Sequence, residues 1–349
     1  MMKEDRPSAA PASAEPRPSE QPTSDRSLGS FLERRVQVVA GKGGVGKSVL
    51  ASAIALRSAQ AGYRTLLLEV NGPDSTARIL RAKPAADEPR QIRDGLYLCR
   101  MTPAGALREY ALMILHFKAI YHLVFENRLV RYLLRSIPGL GEFTMAGKVW
   151  YHSTELDGST PRFDRLVIDA PATGHAITFL SVARVVADTV PEGTMKEAAE
   201  KMALLLEDPI DACLHVAALP EEMAVNEALQ LATAARLETR MATGIGFLNR
   251  MLPPMLSPGE ARILDGLTGS LEPYARAARR HLAWEELQAG FAQRFRDEGG
   301  MPVVTVPDVQ KNERDEGFVE DVIAAINESV GPPRPRLRST LAPPRRPDR

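Results

Sequence analysis

The chain has 349 residues, with 44 Lys and Arg against 44 Asp and Glu and a hydrophobic fraction of 44%. That balance excludes a generally polybasic nucleic-acid binder and a polyacidic tail protein, so no specific nucleic-acid partner is expected. Its two cysteines, Cys99 and Cys213, exclude a disulfide framework and a zinc site built mainly from thiolates. The first residues lack an apolar leader segment, and no stretch approaches roughly 18 uninterrupted apolar residues, so the expectation is a soluble, cytoplasmic protein.

Residues 1–30 mix Pro, Ser and Ala with scattered charges and have no hydrophobic period. Such a segment buries too little apolar area to offset its ordering entropy and reads as a disordered tail. From 31 to 330 strand and helix signals alternate, which predicts an α/β fold: a doubly wound, mostly parallel sheet covered on both faces. The predicted strands are Val36–Ala40, Thr65–Val70, Leu96–Met101, Arg165–Asp169, Ala212–Ala217, Gly244–Leu248 and Val303–Val306. An Ala-rich helix is predicted over Ser48–Ala61, stopped by Gly62. Near the end, Val319, Val322, Ile323 and Ile326 keep the spacing of an amphipathic helix. Residues 331–349 are rich in Pro and Arg and read as a second disordered tail.

The decisive motif is Gly41-Lys42-Gly43-Gly44-Val45-Gly46-Lys47-Ser48, which follows the first strand and opens the first helix. This G-x-x-x-x-G-K-S pattern is a phosphate loop. Its glycines let successive backbone N–H groups converge on phosphate oxygens, and the helix N-terminus adds a favourable dipole. The predicted nucleotide contacts are Gly41, Gly43, Gly44, Val45, Gly46, Lys47, Ser48 and Val49. Lys47 would reach the β/γ-phosphates and Ser48 would ligate Mg²⁺. The extra lysine, Lys42, makes the loop resemble the deviant Walker A motif of dimeric ATPases such as the arsenite-pump, Min and Par families. The resemblance implies that Lys42 reaches across a dimer interface to the partner's phosphates.

Asp169 ends an apolar strand and is placed as a Walker B carboxylate, the second Mg²⁺ residue. The following Ala170-Pro171-Ala172-Thr173-Gly174-His175 resembles the switch II signature of the arsenite-pump (ArsA) ATPase family, which includes the targeting factor for tail-anchored membrane proteins. Leu219-Pro220-Glu221-Glu222 resembles the family's Pro-Glu after a strand. Gly246-Phe247-Leu248-Asn249-Arg250 and Val306-Pro307-Asp308 resemble its adenine-reading segments, which implies base contacts from Asn249, Pro307 and Asp308. The resemblance covers roughly residues 35–330. It implies an ATP-hydrolysing, Mg²⁺-dependent P-loop ATPase, working as a homodimer or as a heterodimer with a paralogous ATPase.

Three departures stand against that pattern. Asn71 takes the place of the family's water-positioning Asp in switch I, with Glu69 and Asp74 the nearest carboxylates in sequence. An amide orients water but is a poor proton acceptor, so Asn71 and Glu69 are both candidate catalytic residues and turnover by the chain alone is expected to be slow. The family's dimer-clasping Cys-x-x-Cys is absent, and two cysteines cannot form a three-thiol arsenite site. The stretch between His175 and Ala212 is shorter than in the targeting factor, so its client-binding insert is expected to be reduced or missing.

A helical subdomain is predicted over about 103–160. Residues 105–137 within it are apolar on more than one helix face yet interrupted by charge, which reads as packed subdomain or as a groove for an apolar protein client or membrane partner. Two rival functions follow from the same residues: a Min- or Par-like positioning ATPase, and a nucleotide-binding regulatory subunit with little turnover.

Overall fold

Along the first strand Val36, Val38 and Ala40 face one side and Val39 faces the other, and all four are buried. A strand that is apolar on both faces belongs in the middle of a sheet covered by helices on each side. A computed structural model, which describes residues 28–115, 137, 139–313 and 315–336, has this arrangement. The expectations for residues 1–27 and 337–349, and for the apolar stretch 116–136, lie outside the described residues.

Among the described residues there are ten strands: β1 (Val36–Gly41), β2 (Thr65–Val70), β3 (Arg90–Arg93), β4 (Leu96–Met101), β5 (Leu156–Asp157), β6 (Thr160–Pro161), β7 (Arg165–Ala172), β8 (Ala212–Ala218), β9 (Thr243–Met251) and β10 (Val303–Pro307). Eight of them form one sheet in the order β10-β9-β8-β1-β7-β2-β4-β3, while β5 and β6 make a separate two-residue ladder. Every pairing in the large sheet is parallel except β3 with β4. All seven predicted strands are there, and five run past their predicted ends by one to three residues. Strand β3 was not predicted. Its Arg-Gln-Ile-Arg sequence carries no apolar run, as befits a half-solvated edge.

The helices are α1 (Lys47–Gln60), α2 (Ser75–Ile79), α3 (Pro103–Leu115), α4 (Leu140–Thr154), α5 (Thr173–Thr189), α6 (Thr194–Glu207), α7 (Glu222–Ala234), α8 (Pro258–Ile263), α9 (Glu272–Gly299) and α10 (Phe318–Val330). Helices α1, α2 and α10 cover the sheet face that carries Val39, Leu67 and Val167. Helices α4 to α7, with parts of α3 and α9, cover the face that carries Val38, Leu68 and Ile168. Helix α1 ends as predicted: Gly62 takes φ +89° and its N–H donates to the Ala59 carbonyl. The predicted stripe of α10 is buried on the α1 side.

Both ends of the body extend beyond the predicted boundaries. Residues Leu28–Glu33 form a 3-10 turn that buries Leu32. Residues 331–336 lie against the start of the strands, where the Gly331 carbonyl accepts from Arg57 at 2.8 Å and Arg336 pairs with Asp164 at 2.8 Å. Among the described residues no helix is long and apolar enough to cross a membrane.

Candidate nucleotide site

The C-terminal end of β1 lies between β7 and β8, and this is where the chain turns into the phosphate loop. In an open parallel sheet, a loop at such a position between neighbouring strands opens onto the crevice where ligands bind. Gly44 and Gly46 hold φ of +86° and +91°, values that disfavour any side chain with a Cβ. At Gly46 a Cβ would also collide with the Asn249 amide nitrogen, so two separate constraints keep this position glycine.

Lys47, at the first position of α1, is half-buried, and its ammonium donates to the Lys42 carbonyl at 3.1 Å. Burial lowers its pKa, opposed by the neighbouring Asp169 charge. Ser48 donates its hydroxyl to Asp169 Oδ2 at 2.6 Å, so the loop and the end of β7 meet through two residues 121 positions apart. Asp169 is 5% exposed, and its Oδ1 is buried without a hydrogen-bond partner. Its pKa is pushed up to about 6, mainly by burial and further by the Glu69 charge, with the Ser48 hydroxyl and Lys47 acting the other way. A buried carboxylate with one orphaned oxygen, beside a serine hydroxyl, fits a hard divalent cation such as Mg²⁺. Ser48 and Asp169 could hold it.

Beside the loop a cleft of about 450 Å³ is lined by Gly44, Gly46, Asn249, Pro307, Asp308 and Phe318, among others. Asn249 is buried, and its amide nitrogen donates to the Val45 carbonyl at 3.0 Å, bracing the loop from β9. That commits one amide hydrogen to the protein and leaves the Asn249 carbonyl as an acceptor. Asp308 is paired with Arg250 at 3.0 Å. Thus the structure brings Gly44, Gly46, Val49, Asn249, Pro307 and Asp308 to one cleft and Lys47, Ser48 and Asp169 to its neighbouring end.

The profile of a family described as anion-transporting ATPase, ArsA, matches residues 34–193. ATPase BagA of Mycobacterium tuberculosis is 30% identical over 244 residues, covering 66% of this chain and 70% of that protein. A putative arsenical pump-driving ATPase of Prosthecochloris vibrioformis is 29% identical over 153 residues, covering 42% of this chain and 35% of that one. ATPase ARSA1 of Chlamydomonas reinhardtii is 25% identical over 280 residues, with 62% of this chain and 36% of that protein covered.

The chain belongs to the ArsA ATPase family.

Within this ArsA ATPase the switch residues are arranged differently from the sequence expectation at one position. Glu69 was a candidate for the water-side carboxylate, but it is 1% exposed and both its oxygens are occupied. Oε1 accepts from the Ser75 N–H at 2.9 Å, and Oε2 accepts from the Thr76 N–H at 3.2 Å and from the Thr76 hydroxyl. The arrangement has a simple physical reason: a buried carboxylate needs donors, and the first turn of α2 supplies them. Asn71 is exposed, with φ +50°, and its N–H donates to the Met101 carbonyl at 2.7 Å. Asp74 accepts from the Ala85 N–H at 3.0 Å and faces Arg100 at 3.8 Å. His175 is exposed in the first turn of α5.

Lys42 points to α7, where its ammonium meets Glu227 Oε1 at 2.7 Å. Sequence reasoning missed Glu227 because its partner is 185 positions away and no motif links them. It also missed Phe318 and Val322 as cleft residues. Their signal was present: Phe318 continues the buried stripe of α10 one turn toward the cleft.

Proposed function

We propose that this ArsA ATPase is a nucleotide-driven dimeric switch in which ATP binding closes two subunits and couples nucleotide state to a bound partner. The observation that carries the proposal is Lys42. It sits in the phosphate loop, yet its side chain is 38% exposed and turned to Glu227 on α7, while Lys47 occupies the inner position beside Asp169. A second loop cation aimed outward has a use when a partner's phosphates arrive, where it would neutralise charge developing on the transferred phosphoryl group.

In this reading Gly41, Gly43, Gly44, Val45, Gly46 and Val49 shape the phosphate cradle and Lys47 binds the β/γ-phosphates. Ser48 and Asp169 hold Mg²⁺, which supplies charge neutralisation on the phosphates. Asn249 accepts from the adenine amino group, with Pro307 and Asp308 bordering the base. Asn71 orients the attacking water. The partner is a second copy or a paralogous ATPase, and the cargo is an apolar protein segment or a membrane-associated partner; the site of action is the cytoplasm.

A second reading is favoured by Asn71: a subunit that binds nucleotide and signals while a paralogue completes turnover. Light scattering with ADP, ATP and a non-hydrolysable ATP analogue, alongside phosphate release, tests the proposal. A doubling of mass with ATP that Lys42→Ala abolishes supports it. A mass that stays monomeric in every nucleotide state, with normal turnover, refutes it.

A further inference from the structure

Leu67 and Glu69 lie two residues apart on β2 and so face the same side of the sheet. Leu67 is part of the apolar core there, and a second leucine at 69 would simply continue it. Instead the chain buries a carboxylate, which is costly unless donors meet it. Three do, all from residues 75 and 76: the Ser75 N–H, the Thr76 N–H and the Thr76 hydroxyl. Between carboxylate and donors runs Asn71-Gly72-Pro73-Asp74, with two non-glycine residues in the left-handed region, Asn71 at +50° and Asp74 at +58°. The segment closes over the Glu69 side chain so tightly that a Cβ on Gly72 would lie 2.6 Å from its Cγ and 2.7 Å from its Cδ. The near end is fixed separately, by the Asn71 N–H on the Met101 carbonyl at 2.7 Å. In the parallel register of β2 and β7, Glu69 is the direct partner of Asp169, the residue bonded to Ser48.

We infer that Glu69 is a positioning residue of the ATPase reaction: its buried carboxylate, touching no substrate, sets the path of residues 71–76 and thereby the place of Asn71 relative to the Ser48–Asp169 pair. This rests on the proposed role of Asn71 as the residue that orients water. A loop held at both ends keeps its exposed side chain in one place, and misplacement of a reacting group by about 1 Å costs on the order of a hundredfold in rate. Stability alone does not account for the arrangement, because an apolar residue at 69 would serve the core and leave the loop free.

The test is a double-mutant cycle read as kcat and KM for ATP, with urea unfolding of each variant. Gly72 does not need positive φ, so alanine fits its backbone and acts only by displacing Glu69. Gly72→Ala is expected to lower kcat per folded molecule at least about tenfold with KM within about threefold of wild type, and to lower the unfolding midpoint as well, since it parts a buried carboxylate from its donors. Thr76→Val, which removes one donor and keeps the shape, should move kcat in the same direction by less. In a Glu69→Ala background, Gly72→Ala should have no further effect, since the group it displaces is gone. Additive losses, or losses explained by unfolding with unchanged kcat per folded molecule, overturn the inference. Asn71→Ala separates the two layers. If it lowers kcat while Gly72→Ala and Thr76→Val do not, the positioning role falls and the reading of Asn71 stands. If it leaves kcat unchanged, both fall.

Discussion

Lys42 Nζ and Glu227 Oε1, 2.7 Å apart, tie the phosphate loop to α7 across the end of β8. Their side chains are 38% and 30% exposed, so the pair is solvent-screened and contributes about 0.2–1 kcal/mol. A contact of that size restrains the lysine without trapping it. Glu227→Gln should therefore free Lys42 and shift ATP-dependent dimerisation to roughly two- to fivefold lower protein concentration, read by sedimentation at several concentrations. Lys42→Ala should bind nucleotide normally and lose hydrolysis, because a contact made in the transition state contributes more to rate than to affinity. Unchanged dimerisation in Glu227→Gln, with normal turnover in Lys42→Ala, would show that the pair is only a surface ion pair.

Lys47 is the inner cation of the loop and lies close enough to Asp169 to feel its charge. Lys47→Ala should weaken ATP binding or turnover by at least about tenfold, on the order of 1.4 kcal/mol. Isothermal titration with ATP and a phosphate-release assay read the two effects separately. Wild-type values in both would remove Lys47 from the phosphate site.

The bond from Asn249 to the Val45 carbonyl leaves an acceptor facing the cleft, which suits the amino group of adenine and not the carbonyl of guanine. ATP should outcompete GTP in wild type. Asn249→Ala should narrow the preference and weaken both nucleotides, since it also removes the brace on the loop. Equal competition by GTP against wild type would end the assignment of Asn249 to the base.

How much of this was legible depended on the range of the interaction. The phosphate loop is local: eight consecutive residues carry the glycines, the lysines and the serine, and the strand and helix around them have their own periodicities. The place of Asp169 in a buried strand was legible because an apolar run ends on a carboxylate. The pairing of Lys42 with Glu227 was not, because each residue looks like an ordinary surface charge within its own segment. The donors of Glu69 were hidden for the same reason. Its sequence neighbours make it look like a displaced catalytic acid, whereas its donors come from the folded turn at Ser75 and Thr76. Strand β3 escaped because an exposed edge carries no apolar signature.

His215 gives a pH prediction independent of the nucleotide. It is fully buried on β8, and Nδ1 accepts from the Ile245 N–H at 3.0 Å while Nε2 faces Gln37 Oε1 at 3.3 Å. Burial, with the nearby Arg34 charge adding, lowers its pKa to about 3. Below pH of about 6.5 the unfolded chain takes up a proton on this imidazole and the folded chain does not, so stability falls as pH falls. The slope is about 1.4 kcal/mol per pH unit down to the folded pKa, and the contribution is complete above about pH 6.5. Urea unfolding between pH 4 and 7, on wild type and His215→Gln, should differ in slope by about one proton. Parallel curves would mean that the folded protein protonates this histidine.

In the proposed reading Asn71 takes the place of a water-positioning carboxylate, and Glu69 and Asp74 are both engaged by the protein, Glu69 with residues 75 and 76 and Asp74 with Ala85 and Arg100. No carboxylate within this loop is then free to take a proton from the attacking water. An amide can still orient water, and losing a positioned base typically removes about 10²–10⁴ in rate, or roughly 2.7–5.4 kcal/mol at the barrier. The chain alone should therefore hydrolyse ATP slowly. Asn71→Asp should speed it, provided that the new carboxylate inherits the exposed place that the amide holds at the end of β2. Glu69→Gln should slow it modestly through the loop, because the amide keeps one acceptor for the three donors now served by two oxygens. Single-turnover phosphate release, with and without a paralogous ATPase, separates the alternatives. Faster release by Asn71→Asp supports the missing base. Rapid wild-type release matched by both variants would show that the water is positioned from elsewhere in the dimer.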